Sequence, residues 1–209
     1  MQVAQYSQRD PRWAGDELGT SGLTLGQAGC LVCAVASALT DFGVRMTPAE
    51  LNRRLLQVRG YVNGGLLVWS SLRHVGAECI GYLNCAREPA PMGALLAALN
   101  TGHAIIVRVD AQPGKAGVQD HWVRVLQPSG ADCLVMDPWR LPGQELGSLL
   151  RWYGLPNWDA ARTILSVATL APLGGLRGLS ATHRARLRGL AQYGAAAPLP
   201  GAREPEEGR

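Results

Sequence analysis

Residues 26–43, GQAGCLVCAVASALTDFG, limit the fold more than any other segment of the sequence. From Cys30 onward the side chains are small or apolar, which predicts a helix that is buried on all sides. Gly43 is placed to end this helix. At Cys30 the free N–H groups and the positive end of the helix dipole would stabilise a thiolate. Gly29 puts no side chain beside the sulfur, so we expect a substrate carbonyl to approach there. The segment predicts a nucleophilic cysteine, or a thiol that only packs in the core.

A hairpin further along the chain contains two candidate partners for this thiol. Its strands, HWVRVL at 121–126 and CLVMD at 133–137, are joined by a turn with Pro, Ser and Gly. If the turn is centred on Ser129, His121 lies opposite Asp137, with Cβ atoms roughly 4.5–5.5 Å apart. A histidine and a carboxylate at that separation can form a hydrogen bond.

The remaining residues on that face of the hairpin are expected to form an apolar core wall, and they are Val123, Val125, Cys133 and Val135. A one-residue change in register would put Met136 or Pro138 opposite His121 instead. Taken singly, His121 fits a half-buried strand histidine and Asp137 fits a turn cap. Together with Cys30 upstream, they predict a Cys-His-Asp triad.

The chemistry of such a triad assigns a role to each residue. Asp137 would orient His121, and His121 would take the proton of Cys30 to give a thiolate–imidazolium pair. The thiolate would attack an amide carbonyl, and His121 would then protonate the leaving amine. The oxyanion would bind to the N–H of Cys30 and to a glutamine amide, for which Gln8 and Gln27 are both candidates.

The order of elements along the chain predicts an α+β fold, with helices first and an antiparallel sheet afterwards. Residues 47–50 form a capping-box signature at the start of a second helix. The expected helices after the one at Cys30 are residues 49–58, 66–76 and 92–102, and the expected strands are residues 103–109, 121–126, 133–137 and 163–171. We expect a catalytic domain at 1–172. A Gly/Ala/Pro/Arg-rich tail would follow at 173–209, with one short helix at 180–193.

Composition narrows the classes of partner. The chain has 209 residues and a formal net charge of +4, and Lys115 is its one lysine. No basic run is interleaved with aromatic residues, so we expect no nucleic-acid partner. No run of 18 apolar residues is present, so we expect no membrane span. The N-terminal segment lacks the pattern of a secretory signal, which leads us to expect a cytoplasmic protein or one that another agent releases.

Four segments in this order resemble the peptidase C39-like group of the papain-like cysteine peptidase superfamily. In that group a Q-x-D-x-x-W segment precedes a G-C helix start, and an H-W-V strand precedes a D-P-W strand end. The matching segments here are YSQRDPRW at 6–13, GTSGLTLGQAGCLVCAVASAL at 19–39, DHWVRV at 120–125 and VMDPW at 135–139. The resemblance covers about residues 5 to 140.

The resemblance implies a papain-like fold, in which an N-terminal helical part carries the nucleophile and packs on an antiparallel sheet with His and Asp. It assigns the nucleophile to Cys30, the base to His121, the third member to Asp137 and the oxyanion glutamine to Gln8 rather than Gln27. The implied activity is a cysteine peptidase or amidase without a cofactor or metal.

Relatives of this pattern in bacteriophage genomes make peptidoglycan cross-links a candidate substrate beside ordinary peptides. The protein would then be released by lysis or carried in a phage particle. A catalytically inactive binding or phage assembly protein is the alternative, and a thiol acyltransferase is a third. Neither the oligomeric state nor the specificity follows from the sequence.

Three rival readings concern the other cysteines and histidines. Cys30 and Cys33 have C-x-x-C spacing, but Leu31 and Val32 between them are not the turn formers of a redox pair. The five cysteines are an odd number, which predicts reduced thiols. Cys79 and Cys85 are spaced too widely for a common zinc knuckle. His103 could replace His121 as the base, although no carboxylate is placed to support it.

Overall fold

A computed structural model describes residues 3–174, so the predicted helix at 180–193 lies outside the described residues. The helices are α1 Leu25–Ala28, α2 Cys30–Asp41, α3 Pro48–Gln57, a 3-10 helix Trp69–Val75, α4 Met92–Asn100, α5 Leu149–Tyr153 and α6 Ala160–Thr163. The strands are β1 Tyr61–Val62, β2 Leu66–Leu67, β3 Ala77–Asn84, β4 Ala104–Asp110, β5 Asp120–Ser129, β6 Asp132–Met136, β7 Leu146–Ser148 and β8 Ser166–Pro172. No helix within the described part of the chain is both long and apolar enough to cross a bilayer.

The strands form one six-stranded antiparallel sheet in the order β3-β8-β4-β5-β6-β7, beside a small hairpin of β1 and β2. Helices combined with an antiparallel sheet confirm the α+β class. The expected order of helices first and strands afterwards is wrong, because β3 lies between the 3-10 helix and α4. The sequence did not predict β3, since it is an edge strand with mostly exposed side chains and lacks apolar alternation.

Helix α2 is buried as predicted, with ten of its twelve residues buried. The chain leaves the helix through Phe42 and then turns at Gly43, whose φ of 89° favours glycine. Helix α3 begins with the predicted capping box, in which Thr47 and Glu50 each accept from the other's backbone N–H. The third predicted helix is a 3-10 helix, and it ends at Gly76 in the left-handed conformation.

Two apolar cores cover the two faces of the sheet. The first lies between the sheet, α2, α3 and the N-terminal segment, and the second lies between the sheet and α4, α5 and α6. Strand β4 is buried on both sides: Ala104 and Ile106 pack in the first core, and Ile105, Val107 and Val109 pack in the second. The helical layer positions Cys30, with which α2 starts, and the sheet positions His121, the second residue of β5.

A buried ion pair holds α2 against β5. Arg124 on β5 pairs with Asp41 at the end of α2, and its Nη1 donates to Oγ of Ser37 over 2.8 Å. Cys30 and His121 meet near the start of α2 and β5, whereas Asp41 and Arg124 meet further along each element, so the two elements run side by side in the same direction. The cleft that Cys30 and His121 line therefore lies where both elements begin.

The β5–β6 register differs from the predicted one by two residues. Val125 lies opposite Val135 rather than Cys133, and Arg124 lies opposite Met136. Strand β5 continues to Ser129, the turn is the two residues 130–131, and the ladder is irregular between Val125 and Gln127. The predicted direct pairing of His121 with Asp137 is therefore wrong. A shift of two residues keeps every side chain on its face, so the two remain diagonal neighbours.

Candidate active site

Cys30 begins α2 at a sharp corner that follows α1. Thr24 and Gln27 form a capping box around α1, and Gly29 joins α1 directly to α2. A Cβ on Gly29 would lie 2.5 Å from the carbonyl oxygen of Leu25, so only glycine fits at this corner. This packing requirement is reason enough for Gly29, and the expected approach of a substrate carbonyl beside it stays a prediction. Gly29 provides no side-chain cap, which leaves the first N–H groups of α2, at Cys30, without a side-chain acceptor from the cap residue.

The imidazole of His121 is hydrogen-bonded to Asp137. Its Nε2 lies 2.7 Å from Oδ1 of Asp137, and both side chains are buried. The thiol of Cys30 lines the same cleft as the ring, and its interaction with the ring is one of the causes that raise the pKa of His121. Because Nε2 is directed to the carboxylate, Nδ1 is the ring nitrogen that remains for the thiol. The structure thus brings the three predicted triad residues together.

Two opposing effects set the protonation of His121. Burial lowers its pKa, because a charged imidazolium loses solvation inside the protein. The hydrogen bonds and charges of Asp137 and Cys30 outweigh burial and raise the pKa to about 9. The site therefore favours an imidazolium at neutral pH, which is the form that a thiolate partner requires.

The carboxylate of Asp137 accepts four hydrogen bonds. Oδ1 accepts from His121 and from the N–H of Trp139 at 2.9 Å. Oδ2 accepts from the hydroxyl of Tyr153 at 2.5 Å and from Nε of Arg140 at 2.8 Å. Burial raises the pKa of Asp137, but its hydrogen bonds to His121, Tyr153 and Trp139 bring the pKa below the usual value.

Two glutamines lie at the same cleft but in different environments. Gln27 is exposed, and its Oε1 accepts the N–H of Thr24 at 2.9 Å as part of the α1 capping box. Gln8 is 1% exposed, and its Nε2 donates to the carbonyl of Gly26 over 3.0 Å. Its Oε1 has no hydrogen-bond partner among residues 3–174. The Oε1 of Gln27 is used in local structure, whereas the side chain of Gln8 is buried at the wall of the cleft.

A tight turn in the segment after Gln8 fixes that side chain. Asp10 accepts the N–H of Arg12 at 3.0 Å, and the indole Nε1 of Trp13 donates to the carbonyl of Ser7 over 2.7 Å. The N–H of Gln8 itself donates to the carbonyl of Pro138 over 2.8 Å. The Q-x-D-x-x-W residues thus build one unit that ties Gln8 to the loop following Asp137.

Gln8, Cys30 and His121 line one cleft of about 620 Å³, and Asp137 is buried behind His121. Its walls come from β2, from the segment between β4 and β5, and from the loop after β6. Leu66 is 61% exposed and Trp139 is 45% exposed, so both present apolar surface at the cleft. Trp69 and Trp122 pack against each other and against the first core, as a structural role predicts.

Other thiols and imidazoles lie elsewhere. Cys33 and Cys133 are buried, and burial raises the pKa of each. No disulfide links the five cysteines, and no group of three or more potential ligands for a metal occurs in the described part of the chain. His103 contacts Thr101 and the carbonyl of Ala98 in the turn before β4, and no carboxylate among residues 3–174 pairs with it.

Sequence reasoning missed two residues of the site, Arg140 and Tyr153. Both bind Asp137, and both line the cleft. Tyr153 lies in the aromatic segment RWYGLPNW, where nothing local indicates that its hydroxyl reaches the carboxylate that follows β6. Arg140 follows Asp137 by three residues, a spacing that does not predict contact outside a helix.

No protein-family model matches this chain, and no curated protein matches it either. One solved structure is similar, a crystal structure from Bacillus anthracis provisionally described as a C39-like peptidase. The two chains are 12% identical, the TM-score is 0.46, and the similarity covers 80% of this chain and 94% of that chain. A likeness at this level of identity and TM-score does not establish a shared activity.

Proposed function

We propose that this protein is a cysteine hydrolase that cleaves an amide or peptide bond, with Cys30 as nucleophile, His121 as general base and acid, and Asp137 as the residue that orients His121. The observation that carries the proposal is the buried His121–Asp137 pair, whose ring also meets the thiol at the start of α2. Few structural roles would require a thiol at a helix start to lie next to an imidazole that is in turn bonded to a carboxylate.

The reaction proceeds in two halves. The Sγ of Cys30 attacks the carbonyl carbon while its proton resides on Nδ1 of His121, giving a tetrahedral oxyanion. The C–N bond then breaks, His121 gives the proton to the leaving amine, and a thioester remains on Cys30. Water attacks the thioester with His121 as the base, and it releases the acid and restores the thiol. Asp137 stays ionised throughout and holds Nε2.

The oxyanion is stabilised by the N–H of Cys30 and by the amide N–H of Gln8 that the Gly26 carbonyl does not use. Two observations favour Gln8 over Gln27: the Gln8 side chain is buried at the cleft, and Gln27 is exposed, with its Oε1 held by the N–H of Thr24 in the α1 cap. Donors held rigidly by the fold stabilise the developing charge without reorganising, which is the general basis of an oxyanion hole.

The proposed substrates are peptides, including the peptide cross-links of peptidoglycan. The four sequence segments that resemble C39-like peptidases support this assignment together with the cleft, where Leu66 and Trp139 offer apolar contacts for side chains. An acceptor amine in place of water would turn the same thioester into an acyl-transfer product. Turnover with an added amine, followed by mass spectrometry of the products, separates the two reactions.

The experiment that tests the proposal is labelling of the purified protein with iodoacetamide from pH 5 to 9, with the sites mapped by mass spectrometry. We expect fast labelling at Cys30 that persists below pH 7 in the wild type and is lost in His121→Ala. The other four cysteines serve as internal controls, and Cys33→Ala is the matched variant. Slow labelling spread over all five cysteines would exclude an activated nucleophile and favour a binding protein.

Substrate screening then begins with peptide libraries and purified peptidoglycan. The expected result is a product that wild-type protein releases and Cys30→Ala does not. Release by Cys30→Ala at the wild-type rate would overturn the assignment of the nucleophile.

A further inference from the structure

The carboxylate of Asp137 is shared between two cationic side chains. His121 binds Oδ1, and the guanidinium of Arg140 binds Oδ2 through Nε at 2.8 Å. Asp137 is fully buried, whereas the Arg140 side chain is 32% exposed at the cleft wall. A carboxylate that already compensates one cation attracts a second one less strongly. The charge of Arg140 therefore opposes the protonation of His121.

The position of Arg140 is fixed from three directions. Its guanidinium stacks on the ring of Trp152 at 4.3 Å, and it lies 6.0 Å from the ring of Tyr153. Its backbone carbonyl accepts the hydroxyl of Ser7 at 2.6 Å, next to Gln8. A guanidinium held by stacking and by its own backbone does not swing away from the carboxylate as a free surface arginine would.

The stacking surface under Arg140 depends on a glycine. A Cβ on Gly147 would lie 2.3 Å from the ring of Trp152, so any larger residue on β7 would displace that ring. Gly147 lies opposite Val135 in the β6–β7 ladder, two residues before Asp137. The sheet that positions Asp137 thus also positions the ring that supports Arg140.

From this geometry we infer that Arg140 is a positioning residue, which holds Oδ2 of Asp137 and sets the upper limit of the pH range in which His121 is protonated. The inference rests on the proposed function for its consequence in catalysis, because the thiolate–imidazolium pair survives only while His121 keeps its proton. Arg140 would lower that limit and so keep the imidazolium acidic enough to protonate a leaving amine.

The other charged or titratable groups near the pair are few. Cys30 on α2 faces the ring, Tyr153 on α5 faces the carboxylate, and Glu145 before β7 meets Asp137 through its backbone carbonyl at 2.7 Å. Asp120 precedes His121 on β5 but is paired with Arg108 on β4 at 3.0 Å. Among these groups, Arg140 is the permanent cation bonded to Asp137.

The test is a titration of the His121 imidazole by NMR in the wild type, Arg140→Gln and Arg140→Lys. We expect Arg140→Gln to raise the titration midpoint by roughly half a pH unit to one pH unit, a Coulomb estimate reduced for the partial exposure of the guanidinium. Arg140→Lys keeps the charge and is expected to restore most of the wild-type midpoint. Arg73→Gln is the matched control, because it removes the same charge from an exposed pair with Glu78.

An Arg140→Gln midpoint equal to or below that of the wild type would overturn the inference. An equal shift in Arg73→Gln would also overturn it, by showing an effect of net charge alone. If Arg140→Gln does not fold, the Nε–H resonance of Arg140 in the wild type replaces it, assigned by its loss in Arg140→Lys. That resonance should shift as His121 titrates, and an invariant resonance would contradict the inference.

The titration does not depend on turnover, so the two proposals fail in different ways. If the proposed function is wrong, iodoacetamide will label Cys30 no faster than the other cysteines. If the inference is wrong, the titration midpoint of His121 in Arg140→Gln will equal that of the wild type while Cys30 still reacts rapidly with iodoacetamide.

Discussion

Nε2 of His121 lies 2.7 Å from Oδ1 of Asp137, although Asp137, which directly follows β6, is diagonal to His121 on β5 rather than directly opposite it. Tyr153 contacts both residues: its ring centre is 5.6 Å from that of His121, and its hydroxyl binds the second carboxylate oxygen. The imidazole is thus oriented by a carboxylate that is itself fixed on both oxygens. Predictions follow for each part of this arrangement.

Substitutions of the two residues should differ in severity. We expect His121→Ala to reduce kcat/KM by about 10³-fold or more, because proton transfer from and to the reacting atoms is lost. Asp137→Asn should be milder, since an amide oxygen still accepts from Nε2, although its NH₂ group cannot accept from Arg140. Rates with a fluorogenic peptide, once one is found, measure both, and circular dichroism checks folding. An Asp137→Asn enzyme slower than His121→Ala would contradict the assigned roles.

The stability of the protein should fall on the alkaline side of neutrality. The folded-state pKa of His121 is raised from 6.5 to about 9, so its contribution is fully present below pH 6.5 and is lost as pH rises through 9. The loss should reach up to about 3 kcal/mol in the free energy of unfolding. Urea denaturation of the wild type and His121→Ala between pH 6 and 10 measures it. A constant difference between the two proteins over that range would exclude the linkage.

The pKa of Asp137 is lowered, so the contribution of Asp137 to stability is lost on acidification rather than at alkaline pH. It is present above the ordinary carboxyl pKa of 3.8 and is lost as pH falls through the lower folded-state value. Denaturation of the wild type and Asp137→Asn below pH 5 tests this. We expect the stability advantage of the wild type to shrink steadily with acidification, and an advantage that grew would show the reverse shift.

Substitution of Gln8 should affect catalysis, whereas substitution of Gln27 should affect local structure. Gln8→Ala should lower kcat roughly 10²-fold, the usual cost of one oxyanion donor, while iodoacetamide labelling of Cys30 stays fast. Gln27→Ala should leave kcat near the wild-type value and reduce stability by about 1 kcal/mol through loss of the α1 capping box. Steady-state kinetics and thermal denaturation of both variants provide the comparison. A large kcat effect from Gln27→Ala alone would reverse the assignment.

The corner before Cys30 should tolerate no side chain. Gly29→Ala places a Cβ 2.5 Å from the Leu25 carbonyl oxygen, so we expect a loss of about 1–3 kcal/mol in stability and slower labelling of Cys30. Gly15→Ala is the control, because no heavy atom lies within 4 Å of its added Cβ. Thermal denaturation and labelling rates measure both effects. Equal, small changes in the two variants would show that the corner can relax.

Much of the local structure could be predicted from the sequence, because it depends on short-range chemistry. The all-round apolar character of residues 30–42, the Thr47–Glu50 capping box and the alternating strands 121–126 and 133–137 identify α2, α3, β5 and β6. Side-chain alternation also placed His121 and Asp137 on one face. The register near His121 differs from the predicted one by two residues, and a shift of two leaves both side chains on that face. The edge strand β3 was missed, since its exposed side chains carry no burial pattern.

What the sequence by itself determined is which residues have the chemistry of a triad and which face of each element carries them. The distance between His121 and Asp137, the burial of Gln8 at the cleft, and the approach of Arg140 and Tyr153 to the carboxylate were decided by the tertiary structure alone. The physical reason is that periodicity and capping act within a few residues. Hydrogen bonds between α5, the loop after β6 and the N-terminal turn depend on how the layers pack and on where each strand ends.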